Sequence, residues 1–521
     1  MILSVLIFSI FAGGLVAWFT SIWSDKAPRW ISLITLLLHM GLLLYVWGKY
    51  LGQINLPDQG LWISEINLSW IPQVGIDYHL AMDGFSLLMV LLTNFLGILA
   101  VLTSWNRVGR RAGFFQFQLL WVLAAITAIF LAVDLFLFYF VWEMMLIPLY
   151  FLIGIWGQEH RNYATLKFFI FTQASSLLML VAILALYFIH GQTTGDYTFD
   201  YTKLVHTSLP SGTAFWIMMG FFVAFAVKLP SFPLHSWLPD AHAESPADGS
   251  VDLAGLVIKV GAYGLLRFVL PLFPQVSFSI APWIMGIGII SIFYGAIVAY
   301  GQSDFKRLVA YSTISHMGFV LIAIFAWNQL ALQGAVMVII AHSISASGLF
   351  AVSGNLQARL KTKEMSQMGG LWALAPRMGG STLVFTLAGL GLPGLGNFVG
   401  EILILIGVYQ VNITIAVLAT FGFVFSTIYS LWMIQRVFHG RTAPDLKLPA
   451  LNPREIAVLA VMIITLLWLG LYPQPVLNTA SAALKNMQTY TTNPGTSAKI
   501  PPQPGFLTGA RSSISSGEVK P

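Results

Sequence analysis

Two stretches decide how this chain folds: Ala226-Val-Lys-Leu-Pro-Ser-Phe-Pro233 and Gly391-Leu-Pro-Gly-Leu-Gly-Asn-Phe-Val-Gly-Glu401. Each lies inside an apolar run long enough to cross a bilayer, and each contains residues that a continuous helix does not tolerate. Proline removes a backbone donor and frees the carbonyl one turn earlier. In the first stretch two prolines follow Lys228 directly. In the second, four glycines, a proline and an asparagine fall within ten residues, and Glu401 comes just after them. Both stretches predict a helix broken at membrane depth, with an ionisable side chain at the break. Irregular backbone is tolerated there only where protein or a polar cavity surrounds it.

Working outward, the whole chain reads as membrane-embedded. Of its 521 residues, 57% are apolar and 9% are charged, with mean hydropathy +0.80. A soluble protein carries roughly a quarter charged residues, so no water-facing surface can be assembled here. The net charge of +6 is too sparsely distributed for a nucleic-acid stripe. The absence of cysteine excludes disulfides, thiolate zinc, cysteine-held iron–sulfur clusters and covalently attached haem. No phosphate-binding loop is present, and no metal or cofactor site is expected in this chain.

The reading is an all-α polytopic fold of about fourteen transmembrane helices, at 2–23, 29–48, 79–105, 113–133, 135–156, 165–189, 213–238, 250–271, 280–300, 307–326, 330–356, 378–411, 413–437 and 455–472. Basic residues favour cytoplasmic loops. With the N-terminus outside, the inner loops hold seventeen Lys and Arg, including Lys306 and Arg307, whereas the outer loops hold Lys49, Lys203 and Arg267. Both termini are therefore expected on the outer side. Residues 49–78 read as a long outer loop with Trp62, Trp70 and Tyr78 at the interface. Residues 488–521, rich in Ser, Thr, Pro and Gly, read as a disordered tail.

Short matches recur at a fixed offset. Asp134-Leu-Phe is echoed by Asp304-Phe-Lys, Ala174-Ser-Ser-Leu-Leu by Ala346-Ser-Gly-Leu-Phe, and Phe222 to Pro230 by Phe385 to Pro393. Five spans separate the copies, an odd number, so the second copy is upside down relative to the first. Inverted repeats with broken helices mark transporter-type ion paths. The expected division is 1–112 (helices one to three), 113–275 (first repeat), 276–440 (second repeat), 441–487 (helix fourteen) and 488–521 (tail).

A charge at membrane depth costs about 2.5–3.5 kcal/mol on insertion scales, so it faces protein or water and is a functional candidate. Glu143 is mid-span, in Trp142-Glu-Met-Met; its alternative is a buried acid hydrogen-bonded to a neighbouring helix. Lys228 lies deep in span seven, too deep to snorkel readily. Lys259 is near the middle of span eight, seven residues after Asp252, and a static salt bridge between helices is its alternative. Glu401 mirrors Lys228 with opposite charge. His316 and His342 are mid-span, and titration near neutrality suits imidazole to passing protons; satisfied core histidines are the alternative. His235 and His242 flank Ser236-Trp-Leu-Pro-Asp240 and suit either proton uptake from the inner side or anchoring of the turn.

Phe140-Val-Trp-Glu-Met-Met-Leu-Ile-Pro148, Phe225-Ala-Val-Lys-Leu-Pro230, Pro233-Leu-His-Ser-Trp-Leu-Pro-Asp-Ala-His242, Gly249-Ser-Val-Asp-Leu-Ala-Gly255, Ser312-Thr-Ile-Ser-His-Met-Gly318 and Leu392-Pro-Gly-Leu-Gly-Asn-Phe-Val-Gly-Glu401 resemble the antiporter-like membrane subunits of respiratory complex I, NADH:quinone oxidoreductase. The resemblance covers about residues 1–487. It implies fourteen helices with two inverted five-helix repeats and a proton half-channel from each side joined by a central polar axis. Its functional positions fall on Glu143, Lys228, Lys259, His316, His342 and Glu401. It also implies membrane-arm partners, especially neighbouring antiporter-like subunits, in a bacterial cytoplasmic membrane, with flavin and iron–sulfur clusters in other subunits. Related multisubunit cation/proton antiporters, the alternative reading, resemble each other in carrying lysine where Glu401 stands. One departure is Pro246-Ala-Asp-Gly-Ser250, where the family usually reads Pro-Thr-Ala-Gly-Ser; Asp248 adds a carboxylate near the expected cytoplasmic mouth.

Overall fold

The computed structural model describes residues 1–51, 62–109, 111–246, 249, 253–440 and 448–489. Helices of about 20 residues rise roughly 30 Å, the thickness of the hydrocarbon core, and helices of that length dominate here. In order they are α1 (Ile2–Thr20), α2 (Ala27–Leu51), α3 (Gly84–Ser104), α4 (Ala112–Leu131), α5 (Leu135–Trp156) and α6 (Arg161–Thr194). After these come α7 (Ser211–Lys228), the short α8 (Trp237–Glu244), α9 (Gly255–Leu272), α10 (Pro274–Tyr300), α11 (Phe305–Phe325) and α12 (Gln329–Leu360). The series ends with α13 (Pro376–Gly389), α14 (Gly396–Tyr409), α15 (Ile413–Phe438), α16 (Pro453–Leu471) and α17 (Gln474–Thr489). Thirteen of the described helices are long and apolar enough to span. The remaining predicted span, the twelfth (378–411), is the pair α13 and α14, each 14 residues and separated by the Gly391–Leu395 turn. The protein is a multi-pass, all-α membrane protein.

The predicted break in span seven falls between α7 and α8, and its freed carbonyls are accounted for in turn. Ala226 loses the donor that Pro230 lacks and accepts from the Ser231 amide instead, at 3.0 Å. Val227 accepts from the indole of Trp237, at 2.8 Å. The Phe232 amide, which would continue the helix, donates to Ser291 Oγ at 3.0 Å. α8 is then tied down by ion pairs. Asp240 meets Lys167 and Arg307, each at 2.7 Å, and Glu244 meets Lys363 at 3.0 Å.

α9, α11 and α12 are buried along nearly their whole length, whereas α1, α2 and α16 turn most of their surface outward. The core axis therefore runs through α9, α11 and α12. α9 is α-helical at Ile258–Gly264 but widens into π-turns at Leu253–Val257 and Leu265–Val269. Glycine brings it against α7: a Cβ on Gly261 would stand 2.6 Å from the Phe225 carbonyl oxygen and 3.1 Å from Lys228 Cβ.

The repeated motifs around Asp134 and Asp304 have the same local structure. Each caps a helix, accepting from the Leu137 amide in one case and from Lys306 and Arg307 in the other. Each also forms an antiparallel bridge to a later acid, Asp134 to Asp200 and Asp304 to Glu364.

Four features differ from the sequence reading. The segment read as a loop at 49–78, with the first residues expected in span three, contains an antiparallel hairpin of β1 (Ser64–Ile71) and β2 (Ile76–Met82). Lys306, counted with the inner loops, is fully buried, and its ammonium donates to the Ser245 carbonyl at 2.9 Å. Arg267, counted with the outer loops, is buried in α9 and paired with Asp83 at 2.5 Å. A further helix, α17, follows α16 where only a connection to the tail was expected. Asp248 and Asp252, and the tail from residue 490, lie outside the described residues.

Candidate functional site

Lys228, Lys259, His316, His342 and Glu401 are all buried, none more than 3% exposed, and they come from both broken spans and the three core helices. Lys228 closes α7. Its ammonium sits over aromatic faces, 5.6 Å from the Trp142 ring and 5.2 Å from the Phe168 ring, a cation–π setting. No carboxylate among the described residues hydrogen-bonds it. Glu143, one residue from Trp142 on α5, acts on Lys228 through its field. Glu143 is only half-buried, so one side of it faces the edge of the subunit.

From Lys228 the polar groups continue across the α7–α9 contact made by Gly261. The Lys259 ammonium lies 3.4 Å from Met317 Sδ on α11, and its field reaches both His342 and His242. One residue before Met317, His316 packs against His342 with ring centroids 4.7 Å apart. His316 Nδ1 is 3.5 Å from Glu401 Oε1. Two buried groupings thus stand on neighbouring residues of α11: Lys259 of α9 against Met317, and His316 with His342 of α12 and Glu401 of α14.

The break in span twelve aims Glu401 into the second grouping. Gly391 turns the chain with φ +69°, the left-handed region open to glycine without penalty. A Cβ there would stand 2.3 Å from Glu401 Oε2, so the glycine also makes room for the carboxylate. Beside the histidines is a cavity of about 20 Å³, lined in part by Ser312, His316, His342, Thr386, Tyr429 and Ser430. That is room for about one water.

The two remaining histidines separate. His235 lies among Phe232, Tyr294 and Tyr311, its ring 4.8 Å from that of Tyr294. His242 stacks on Phe350 of α12 at 4.4 Å and feels the charges of Lys306 and Lys259. His235, just before α8, thus faces α10 and α11, whereas His242, on α8, faces α12, and neither is hydrogen-bonded to Lys228.

Sequence reading missed Met317, Lys306, Tyr429 and Ser312. Lys306 carried a legible signal: it shares a helical face with Thr313 and Met317, at i+7 and i+11, two residues after a capping aspartate. Methionine and tyrosine in apolar spans carry no such signal, because they are ordinary core residues. Among the described residues no group of three or more His, Asp or Glu side chains is arranged to hold a metal.

Comparison with known proteins gives a consistent picture. Residues 132–427 match the family described as NADH:quinone oxidoreductase/Mrp antiporter, transmembrane. The chain is 49% identical to NADH-quinone oxidoreductase subunit M of Escherichia coli (strain K12), over 96% of this chain and 100% of that one. Its fold is similar to a chain of respiratory complex I from Thermus thermophilus with bound NADH, at TM-score 0.83 and 28% identity, covering 95% of this chain and 100% of that chain. A chain of the Mrp complex from Dietzia sp. DQ12-45-1b shares the fold at TM-score 0.80 and 22% identity, covering 93% of this chain and 52% of that one.

Proposed function

Because the chain belongs to the NADH:quinone oxidoreductase/Mrp antiporter family of transmembrane proteins, we propose that it is a proton-translocating membrane subunit of an NADH:quinone oxidoreductase. The observation that carries this reading is the buried row Lys228, Lys259, His316/His342, Glu401, which lies between two broken helices. A structural scaffold gains nothing from ionisable groups that cost several kcal/mol each to bury.

Lys228 holds a proton drawn from the inner side past His235 and His242. The Glu143 carboxylate favours the ammonium while its charge faces Lys228. When a neighbouring subunit draws that charge away, Lys228 releases its proton. The proton passes by Lys259 and the histidine pair to Glu401, and then to the outer side. Redox energy arrives from partner subunits of the membrane arm, with flavin and iron–sulfur clusters housed elsewhere in the complex. Both termini face outward from a bacterial cytoplasmic membrane. Residues 113–275 and 276–440 act as inverted halves, a reading supported by the matching caps and bridges of Asp134 and Asp304.

The test is proton pumping and NADH oxidation by purified complex carrying Lys228→Ala or Glu143→Ala. A relay that loses its proton carrier slows by at least about tenfold. Assembled variants that pump and oxidise NADH at the full rate overturn the scheme.

A further inference from the structure

The row of ionisable groups is not the only polar stripe that leaves Lys259. Lys259, Tyr263 and Arg267 follow one another at i, i+4 and i+8 and so share one face of α9, leading from the centre to the outer end. There they meet α3. The Arg267 guanidinium donates to Asp83 Oδ2 at 2.5 Å and to Ser86 Oγ at 3.3 Å. Its Nε donates to the Tyr263 hydroxyl at 3.2 Å. That hydroxyl donates in turn to the Phe130 carbonyl at 2.9 Å and contacts Ser86 Oγ at 3.0 Å. Trp62, just before the hairpin, covers the guanidinium at 5.5 Å. Arg267 and Asp83 are both buried.

We propose that the Arg267–Asp83 pair is an ionic seal that closes the outer end of α9 to protons, so that a proton on Lys259 leaves sideways toward His316, His342 and Glu401. The inference rests on the proposed pumping role.

Three physical points carry it. A guanidinium does not deprotonate in proteins and has no acceptor, so it cannot relay a proton. Its fixed positive charge repels an excess proton in a medium of low dielectric constant, the device by which arginine helps exclude protons from water-conducting pores. Tyr263, which stands between Lys259 and Arg267 on this face, has its single proton committed to the Phe130 carbonyl. Asp83 contributes differently, by compensating the burial of the guanidinium and by capping α3 through the Ser86 amide at 2.8 Å.

The test uses intact complex in proteoliposomes, with passive proton uptake driven by a potassium diffusion potential while the enzyme is idle without NADH. Arg267→Gln is expected to raise passive permeability about tenfold or more, and to lower the steady pH gradient under NADH while quinone reduction continues. Arg267→Lys, which keeps the charge, stays tight, and so does Asp83→Asn, which leaves the guanidinium in place. Adding Lys259→Leu to Arg267→Gln abolishes the leak, because the leak starts from that lysine.

A tight Arg267→Gln complex overturns the seal, as does a leak of equal size in Arg267→Lys or one that survives Lys259→Leu. If Arg267→Gln does not assemble, Asp83→Asn decides the matter, since a leaky complex with the guanidinium intact also overturns it. Failure of the pumping role itself is read separately, from full-rate pumping by Lys228→Ala with these permeabilities unchanged.

Discussion

Glu401 and Gly391 show how closely single residues are matched along the buried row. Glu401 is buried with His316 3.5 Å away, and the space for its second oxygen exists because residue 391 has no Cβ. Gly391→Ala therefore carries two penalties: about 1–2 kcal/mol for a left-handed alanine and displacement of the carboxylate. It is expected to lower proton pumping in assembled complex about as far as Glu401→Gln does, measured as the initial rate of acidification in inverted vesicles. Equal pumping by Gly391→Ala and native complex would show that the carboxylate's position does not matter. Lys228, Lys259, His316, His342 and Glu401 were each legible from an ionisable side chain in an apolar run. Met317, which meets the Lys259 ammonium, was not, because a methionine looks alike in a core and in a relay.

Elements are set by how each break satisfies its backbone. The carbonyl of Val227 depends on the Trp237 indole, so Trp237→Phe leaves a buried acceptor unpaired at a cost of about 1–3 kcal/mol. Its expected result is earlier thermal unfolding of the subunit and looser coupling between NADH oxidation and pumping. Native values for both would mean that water replaces the indole.

The β1–β2 hairpin was read as a loop because its pairing partner lies within the same short segment, and its alternation is masked by exposed apolar residues such as Leu68 and Trp70. It is pinned by His79, which meets Asp200 at 3.0 Å and Glu65 at 2.8 Å. Burial disfavours the charged imidazole, but the two carboxylates outweigh it and hold the His79 pKa above its ordinary value. Burial likewise opposes ionisation of Asp200, yet His79 and Thr202 hold its pKa below the usual range. The His79 contribution is thus full below about pH 6.5 and is lost as pH rises through its raised value. The Asp200 contribution is present above about pH 4 and is lost as pH falls through its lowered value. Burial pushes neighbouring Asp134 up to about 7, so its ionisation adds a second negative charge beside Asp200 as pH rises. Keeping Asp134 protonated while the unfolded chain ionises costs stability from about pH 4 upward, so amide exchange in residues 64–82 is expected to be slowest near pH 4–5, after correction for intrinsic rates, and to speed up toward pH 9. His79→Gln should remove the part of that dependence that sets in above about pH 6.5, and an unchanged profile would rule out this anchor.

At the scale of the whole molecule, the charge asymmetry predicts orientation and the absence of cysteine makes it simple to test. Lys203→Cys, on the exposed outer segment, is expected to react with an impermeant maleimide in intact cells, whereas Gln367→Cys reacts only after the membrane is opened. The reverse pattern would invert the topology. The sequence by itself determined that this chain spans the membrane, roughly where it crosses, where spans seven and twelve break and which ionisable residues lie at depth. These are local properties, set by hydropathy over about 20 residues and by proline and glycine acting on their own turn. The tertiary structure decided which of those charges meet. It joined Lys259 to Met317, His316 to His342 and Glu401, and parted His235 from His242. It also drew Arg267 and Lys306 out of their expected loops into the core. Contacts between residues tens to hundreds of positions apart depend on how whole helices pack, on small residues such as Gly261 that permit close approach, and on π-turns that rotate a face. No short window of sequence encodes that geometry.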